Sequence, residues 1–213
     1  MNANELERLT FEHIGEPFIK AALRSSFESR REAWETCNAR FAKPEAANVR
    51  PWYARGVQET ILTGAAERFG LDAIPEKPSR FWTHREIKSK SGLVVLTAAT
   101  TPEPCGLVAK ADYRLGLAED SQQSLFGEIE LGSQVYVLLL TSPYRGTTPE
   151  DHRDNGYLPG SVYLAWPSRD CRSYVHEINL IERYSDIARG YAPNAWNEAA
   201  FLKYVAQARR MAF

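Results

Sequence analysis

The chain has 213 residues, of which 44% are hydrophobic, 25% charged and 13 are Gly. That balance builds an ordinary globular core and excludes the disordered, collagen-like and low-complexity classes. With 26 Lys and Arg set against 27 Asp and Glu, spread evenly along the chain, neither a basic nucleic-acid tail nor an acidic nucleic-acid mimic is present.

The first seventy residues have helical periodicity. Asn4 and Glu7 stand at capping-box spacing, Leu6, Leu9 and His13 follow on one side, and Gly15 marks a stop. From Pro17 to the Lys43-Pro44 boundary a second helix is expected, with Ile19, Leu23, Phe27, Trp34, Cys37 and Phe41 at alternating steps of three and four. Arg30 occupies the one missing step of that stripe. A third helix is expected from Pro51 to Gly70, presenting Val57, Ile61, Leu62, Ala65, Ala66 and Phe69. The two long helices should form an antiparallel hairpin.

After the breaker-rich stretch Leu71–Arg80 the period shifts toward two, and Val, Thr, Tyr and Trp become frequent. Strands are expected at Phe81–Lys88, Leu93–Ala99, Leu107–Tyr113, Val135–Thr141, Ser161–Trp166 and Tyr174–Ile178, joined mostly by short turns that favour antiparallel neighbours. Arg114–Phe126 fits a helical turn or a loop equally well. Helices return at Asn179–Gly190 and Asn194–Met211. The expectation is one α+β domain over 1–213: a helical hairpin within 1–75, a meandering and mainly antiparallel sheet of about six strands within 80–178, and C-terminal helices.

Cys37, Cys105 and Cys171 lie too far apart for a zinc knuckle or a redox motif, and three cysteines make no disulfide framework. The N-terminal stretch lacks the charged start and apolar run of a secretory signal, and the longest strongly apolar run, Val135–Leu140, is strand-sized. A cytoplasmic location without a membrane partner is therefore expected.

Three carboxylates form the sharpest chemical pattern, Asp112 followed by Glu128 and Glu130 within GEIELG. Two carboxylates at i and i+2 of a strand point to one face and could share a divalent cation with a third. The spacing resembles the catalytic pattern of restriction-endonuclease-like nucleases, which implies Asp112, Glu128 and Glu130 as catalytic residues, Mg²⁺ or Mn²⁺ as cofactor and nucleic acid as substrate. In that family a helix follows the carboxylate strand, whereas here Leu131-Gly132-Ser133 leads almost directly into Val135–Leu140. Asp72 with Glu86-Ile87-Lys88 makes a second partial match. Glu128-Ile129-Glu130 also resembles the Glu-x-Glu strand of ADP-ribosyltransferases, with Thr97-Ala98-Ala99-Thr100 in place of that family's Ser-Thr-Ser-like strand.

Residues 142–160 form a long connection between strands that carries Tyr144, Arg145, Asp151, His152, Arg153, Asp154 and Tyr157. Such lengths are usually functional. His152 between carboxylates has the composition of a general base or a metal ligand, while Thr148-Pro149-Glu150-Asp151 has the composition of a short capped helix. Trp52 and Tyr53, together with the aromatic and Arg residues of this connection, make a candidate binding face, because Trp, Tyr and Arg anchor protein interfaces. Phosphate loops, nucleophile elbows and dinucleotide fingerprints do not occur in the sequence. The leading expectation is a non-enzymatic binding or regulatory module that needs no cofactor or metal and engages a protein partner through Tyr144, Arg145, Asp151, His152, Arg153, Tyr157, Trp52 and Tyr53. The metal-dependent nuclease is the alternative.

Overall fold

In the computed structural model, residues 2–75, 84–104, 106–109, 111–122, 134–146 and 148–208 are described. Helix α1 (Ala3–Ile14) is capped by Asn2, whose side chain accepts from the Glu5 amide at 3.0 Å. The cap lies two residues ahead of the expected Asn4. Gly15 then turns the chain at φ +86°, a conformation that costs an L side chain strain, and α2 (Glu16–Arg40) begins with Pro17 in its first turn. The buried face of α2 carries Phe18, Ile19, Ala22, Leu23, Phe27, Ala33 and Cys37.

Helix α3 (Lys43–Arg68) starts well before the expected Pro51, which sits inside it. Proline removes the hydrogen bond to the carbonyl four residues back, here that of Ala47. Helical structure continues through the break with the preceding turn held against α2: Ala46 is fully buried, and Arg50 lies over the Trp34 ring of α2 at 4.1 Å. The two long helices run antiparallel. Phe18 meets Phe69 edge to face, Gln58 donates to Ser26 at 3.0 Å, and the Tyr53 hydroxyl donates to Glu32 at 3.2 Å.

Six strands form one mixed sheet among the described residues: β1 (Asp72–Pro75), β2 (Arg85–Lys88), β3 (Val94–Thr100), β4 (Val135–Pro143), β5 (Pro159–Pro167) and β6 (Tyr174–Asn179). Their spatial order is their sequence order. All neighbours are antiparallel except β3 and β4, which pair in parallel with Val94 beside Val135 and Thr100 beside Thr141. Two expectations are corrected here. Strand β1 falls within the stretch expected to be a connection, and Leu107–Tyr113 forms no strand among its described residues: 106–109 and 111 are irregular and Asp112 opens helix α4 (Asp112–Gln122). With no strand between them among the described residues, β3 and β4 are joined by a crossover long enough for parallel pairing.

Alternation along β4 explains why its sequence is apolar throughout. Val135, Val137 and Leu139 face the main core with α1, α2, α3 and the C-terminal helices, while Tyr136, Leu138 and Leu140 face a second cluster with Ala118 of α4.

The connection between β4 and β5 contains α5 (Pro149–Asn155), whose cap Thr148 accepts from the Asp151 amide at 3.1 Å. We expect Thr148→Ala to cost α5 about 1 kcal/mol, seen as roughly fivefold faster hydrogen exchange across Asp151–Asn155 with the sheet amides unaffected. The single helix expected at Asn179–Gly190 is divided at Tyr184 into α6 (Leu180–Arg183) and α7 (Ser185–Arg189). The last helix, α8 (Glu198–Gln207), begins at its cap Asn197 rather than at Asn194.

Candidate functional site

Where the α2–α3 hairpin meets the carboxyl ends of β3 and β4, the structure leaves a cavity of about 360 Å³. Small side chains create the space: Ser29 and Ala33 on α2 face Ala47 and Ala54 on α3. Because β3 and β4 are parallel, both end at this opening and contribute Thr100, Thr101, Thr141 and Pro143. Crevices outside the carboxyl ends of parallel strands are where open sheets bind ligands, and the volume lies within the range of small-molecule sites. Helix α5 completes the rim with His152. Gly156 follows it, where a Cβ would come within 2.6 Å of the Trp34 ring.

Charge in the lining has one sign. Arg30, Arg50 and Arg55 contribute to it, and among the described residues no carboxylate does. Arg55 is already engaged, donating to Glu59 at 3.3 Å. The other Glu59 oxygen accepts from the Arg85 amide at 3.2 Å, and burial raises the pKa of this carboxyl against the opposing pull of Arg55 and Arg85. Arg50 lies over the Trp34 ring and donates through Nε to the Ala46 carbonyl at 3.2 Å, and burial lowers its pKa.

Arg30 is different. It is half-buried on α2, where it lines the cavity, and among the described residues no hydrogen bond or ion pair to its guanidinium exists. Burial pulls its pKa down to about 10, with the neighbouring Tyr204 acting weakly in the opposite direction. The nearby phenols are committed elsewhere: Tyr204 donates to the Pro159 carbonyl at 2.7 Å and Tyr144 to Asp151 at 2.9 Å. A half-buried guanidinium with no counter-charge among the described residues is a cost to the ligand-free fold. Chemically the cavity is a preformed receptor for negative charge, with a polar floor in which Gln58 donates to Ser26 and Ser26 meets Thr141 at 3.3 Å.

The residues singled out from the sequence are distributed as follows. Tyr144 is buried and lines the cavity, and Asp151 behind it also accepts from Asn155 at 2.9 Å. His152 stands exposed at the rim, edge-on to Trp34 at 6.4 Å. Arg145 donates to the carbonyl of Pro102, a lining residue, at 3.0 Å. Arg153 points away to Asp154, and the half-buried Tyr157 packs under Arg31 at 5.4 Å. Trp52 and Tyr53 are exposed on α3 and do not belong to the lining. Asp112 is the exposed first residue of α4 rather than a strand residue, which corrects the placement that the nuclease pattern implies, and Glu128 and Glu130 lie outside the described residues. In the second partial match, Asp72 pairs in register with Lys88, and Glu86 is bridged to Lys88 at 2.8 Å. Among the described residues, no three His, Cys, Asp or Glu side chains converge as a metal site, and no helix is long and apolar enough to cross a membrane.

Sequence reasoning did not select Arg30, Arg50 or Arg55. For Arg30 a signal existed, since a guanidinium interrupts the apolar stripe of α2 at a core step. No family model, curated protein or solved structure matches the chain.

Proposed function

We propose that the protein is a non-enzymatic binding module whose ligand is a small organic anion, held in the hairpin cavity with Arg30 as its anchor and without need of a cofactor. The observation that carries this reading is the half-buried guanidinium of Arg30, which has no hydrogen-bonding or ion-pair partner among the described residues and lines a cavity of ligand size. A carboxylate or phosphate seated there would form charge-assisted hydrogen bonds in a partly desolvated site, where they are strongest. Thr100, Thr101 and Thr141 supply neutral hydroxyls at the strand ends, and His152 with Trp34 borders the entrance. A partner protein fits this reading through α5, whose exposed face at the rim would change its surroundings when the cavity fills.

The test is calorimetric titration with carboxylate-bearing and phosphate-bearing metabolite panels in a buffer free of both anions. Saturable binding by wild type, weakened at least about thirtyfold in Arg30→Gln, is expected from loss of a buried charge contact. Binding that Arg30→Gln leaves untouched would remove the reading.

A further inference from the structure

Resting on the anion-binding reading, we infer that the ligand is a two-headed anion, with two acidic groups joined by a short apolar linker, and that Arg50 holds the second head. The hairpin register carries the argument. Ser26 lies opposite Gln58, Glu32 opposite Tyr53 and Trp34 opposite Arg50. Arg30 therefore stands at the level of Ala54, next to Arg55, and Arg50 lies four residues, about 6 Å, nearer the hairpin tip.

Arg55 is satisfied by Glu59, which leaves one guanidinium at each level to take an anion. Arg50 is held for that task. Its guanidinium carbon sits over the Trp34 ring at 4.1 Å and Nε is bonded to the Ala46 carbonyl, while the terminal nitrogens have no protein acceptor among the described residues. A planar fork with its Nε committed presents its remaining donors along one edge, the geometry that meets a carboxylate or phosphonate oxygen pair.

Between the two basic levels the walls turn apolar. Ala33 from α2 and Ala54 and Pro51 from α3 line it, and among the described residues no acidic side chain lines the cavity at either level. A ligand with one central charge would leave one guanidinium unmet. A ligand with a polar middle would set that middle against alanine and proline. An α,ω-diacid with a methylene chain satisfies both ends and the centre.

The test titrates the intact 213-residue chain with α,ω-dicarboxylates of three to eight carbons, with matching α,ω-bisphosphonates, and with the monocarboxylates and monophosphonates of the same lengths. We expect diacids to outbind monoacids of equal length by about tenfold or more. The optimum should fall at about five to seven carbons, whose ends span the two levels. In Arg50→Gln the ratio of diacid to monoacid affinity should fall close to one, and Arg50→Lys should restore part of it. The bisphosphonate arm decides which acid is preferred, since either one outbinding its single-headed counterpart supports two anchors. Equal affinity for monoacids and diacids at every length, with binding still abolished in Arg30→Gln, would overturn the second anchor and leave the first standing. No binding of any of these anions would overturn both.

Discussion

Replacing Arg30 with Met is expected to stabilise the ligand-free protein by about 1 to 3 kcal/mol while abolishing its response to anions. Burial holds the folded-state pKa of Arg30 near 10. At neutral pH the group is charged in both the folded and the unfolded chain, so the whole desolvation cost falls on the folded state, and it would be recovered only as the pH rises above about 10. Methionine keeps a long flexible stem and removes the charge. Urea denaturation in buffer free of carboxylate and phosphate gives the measurement, with a higher midpoint for the variant at unchanged slope. Adding the ligand should raise the midpoint of wild type alone, because only a folded chain with the anchor intact binds it. A variant destabilised by 2 kcal/mol or more would assign Arg30 a structural role and defeat the anchor assignment.

Acid sensitivity supplies the second large effect. His84 is buried against the Tyr113 ring, with centroids 3.4 Å apart, and its pKa is drawn down to about 4 by burial first and then by Arg55 and Arg114, opposed by Glu86. The unfolded chain protonates this imidazole near 6.5. The folded form therefore carries stability that is complete above about pH 6.5, drains away as the pH falls, and is gone below about pH 4. Allowing for partial solvent screening, the loss is about 2 kcal/mol. Glu59 acts in the opposite sense, because its raised pKa favours folding as the carboxylate range is approached from above. Subtracting the stability curve of His84→Gln from that of wild type isolates the histidine. The difference should grow between pH 4 and 6.5 and stay level above that range. Parallel curves across the window would show that His84 does not titrate with folding.

How much of this was written locally in the chain varies from element to element. The stripe Ile19, Leu23, Phe27 and Cys37 marks the buried face of α2, and all four are buried. Val135–Leu140 is a strand, and the caps at Thr148 and Asn179 both form. Other features depend on distant neighbours. Strand β1 is four residues among helix and strand breakers and exists through its pairing with β2. The direction of β4 relative to β3 is set by what joins them, and Arg114–Phe126, which overlaps α4, has spacing compatible with helix or loop. The cavity was legible only as a flaw in the stripe at Arg30. Its partners Arg50 and Arg55 each look like surface charge in their own sequence window, and only the hairpin register sets them on the same side as Arg30.

The parallel β3–β4 pair also sets the sequence in which the receptor comes into being during folding. Helices α2 and α3 are joined through Phe41-Ala42 and meet as a local unit, whereas β3 must wait for β4 to return across the crossover, a closure whose chain entropy is lost before its contacts repay it. The arginine wall therefore assembles early and the threonine floor late, and Arg30 is stripped of water only when the two meet. An anion that needs both surfaces has nothing to grip in the transition state. Its kinetic signature is slower unfolding at an unaltered rate of folding.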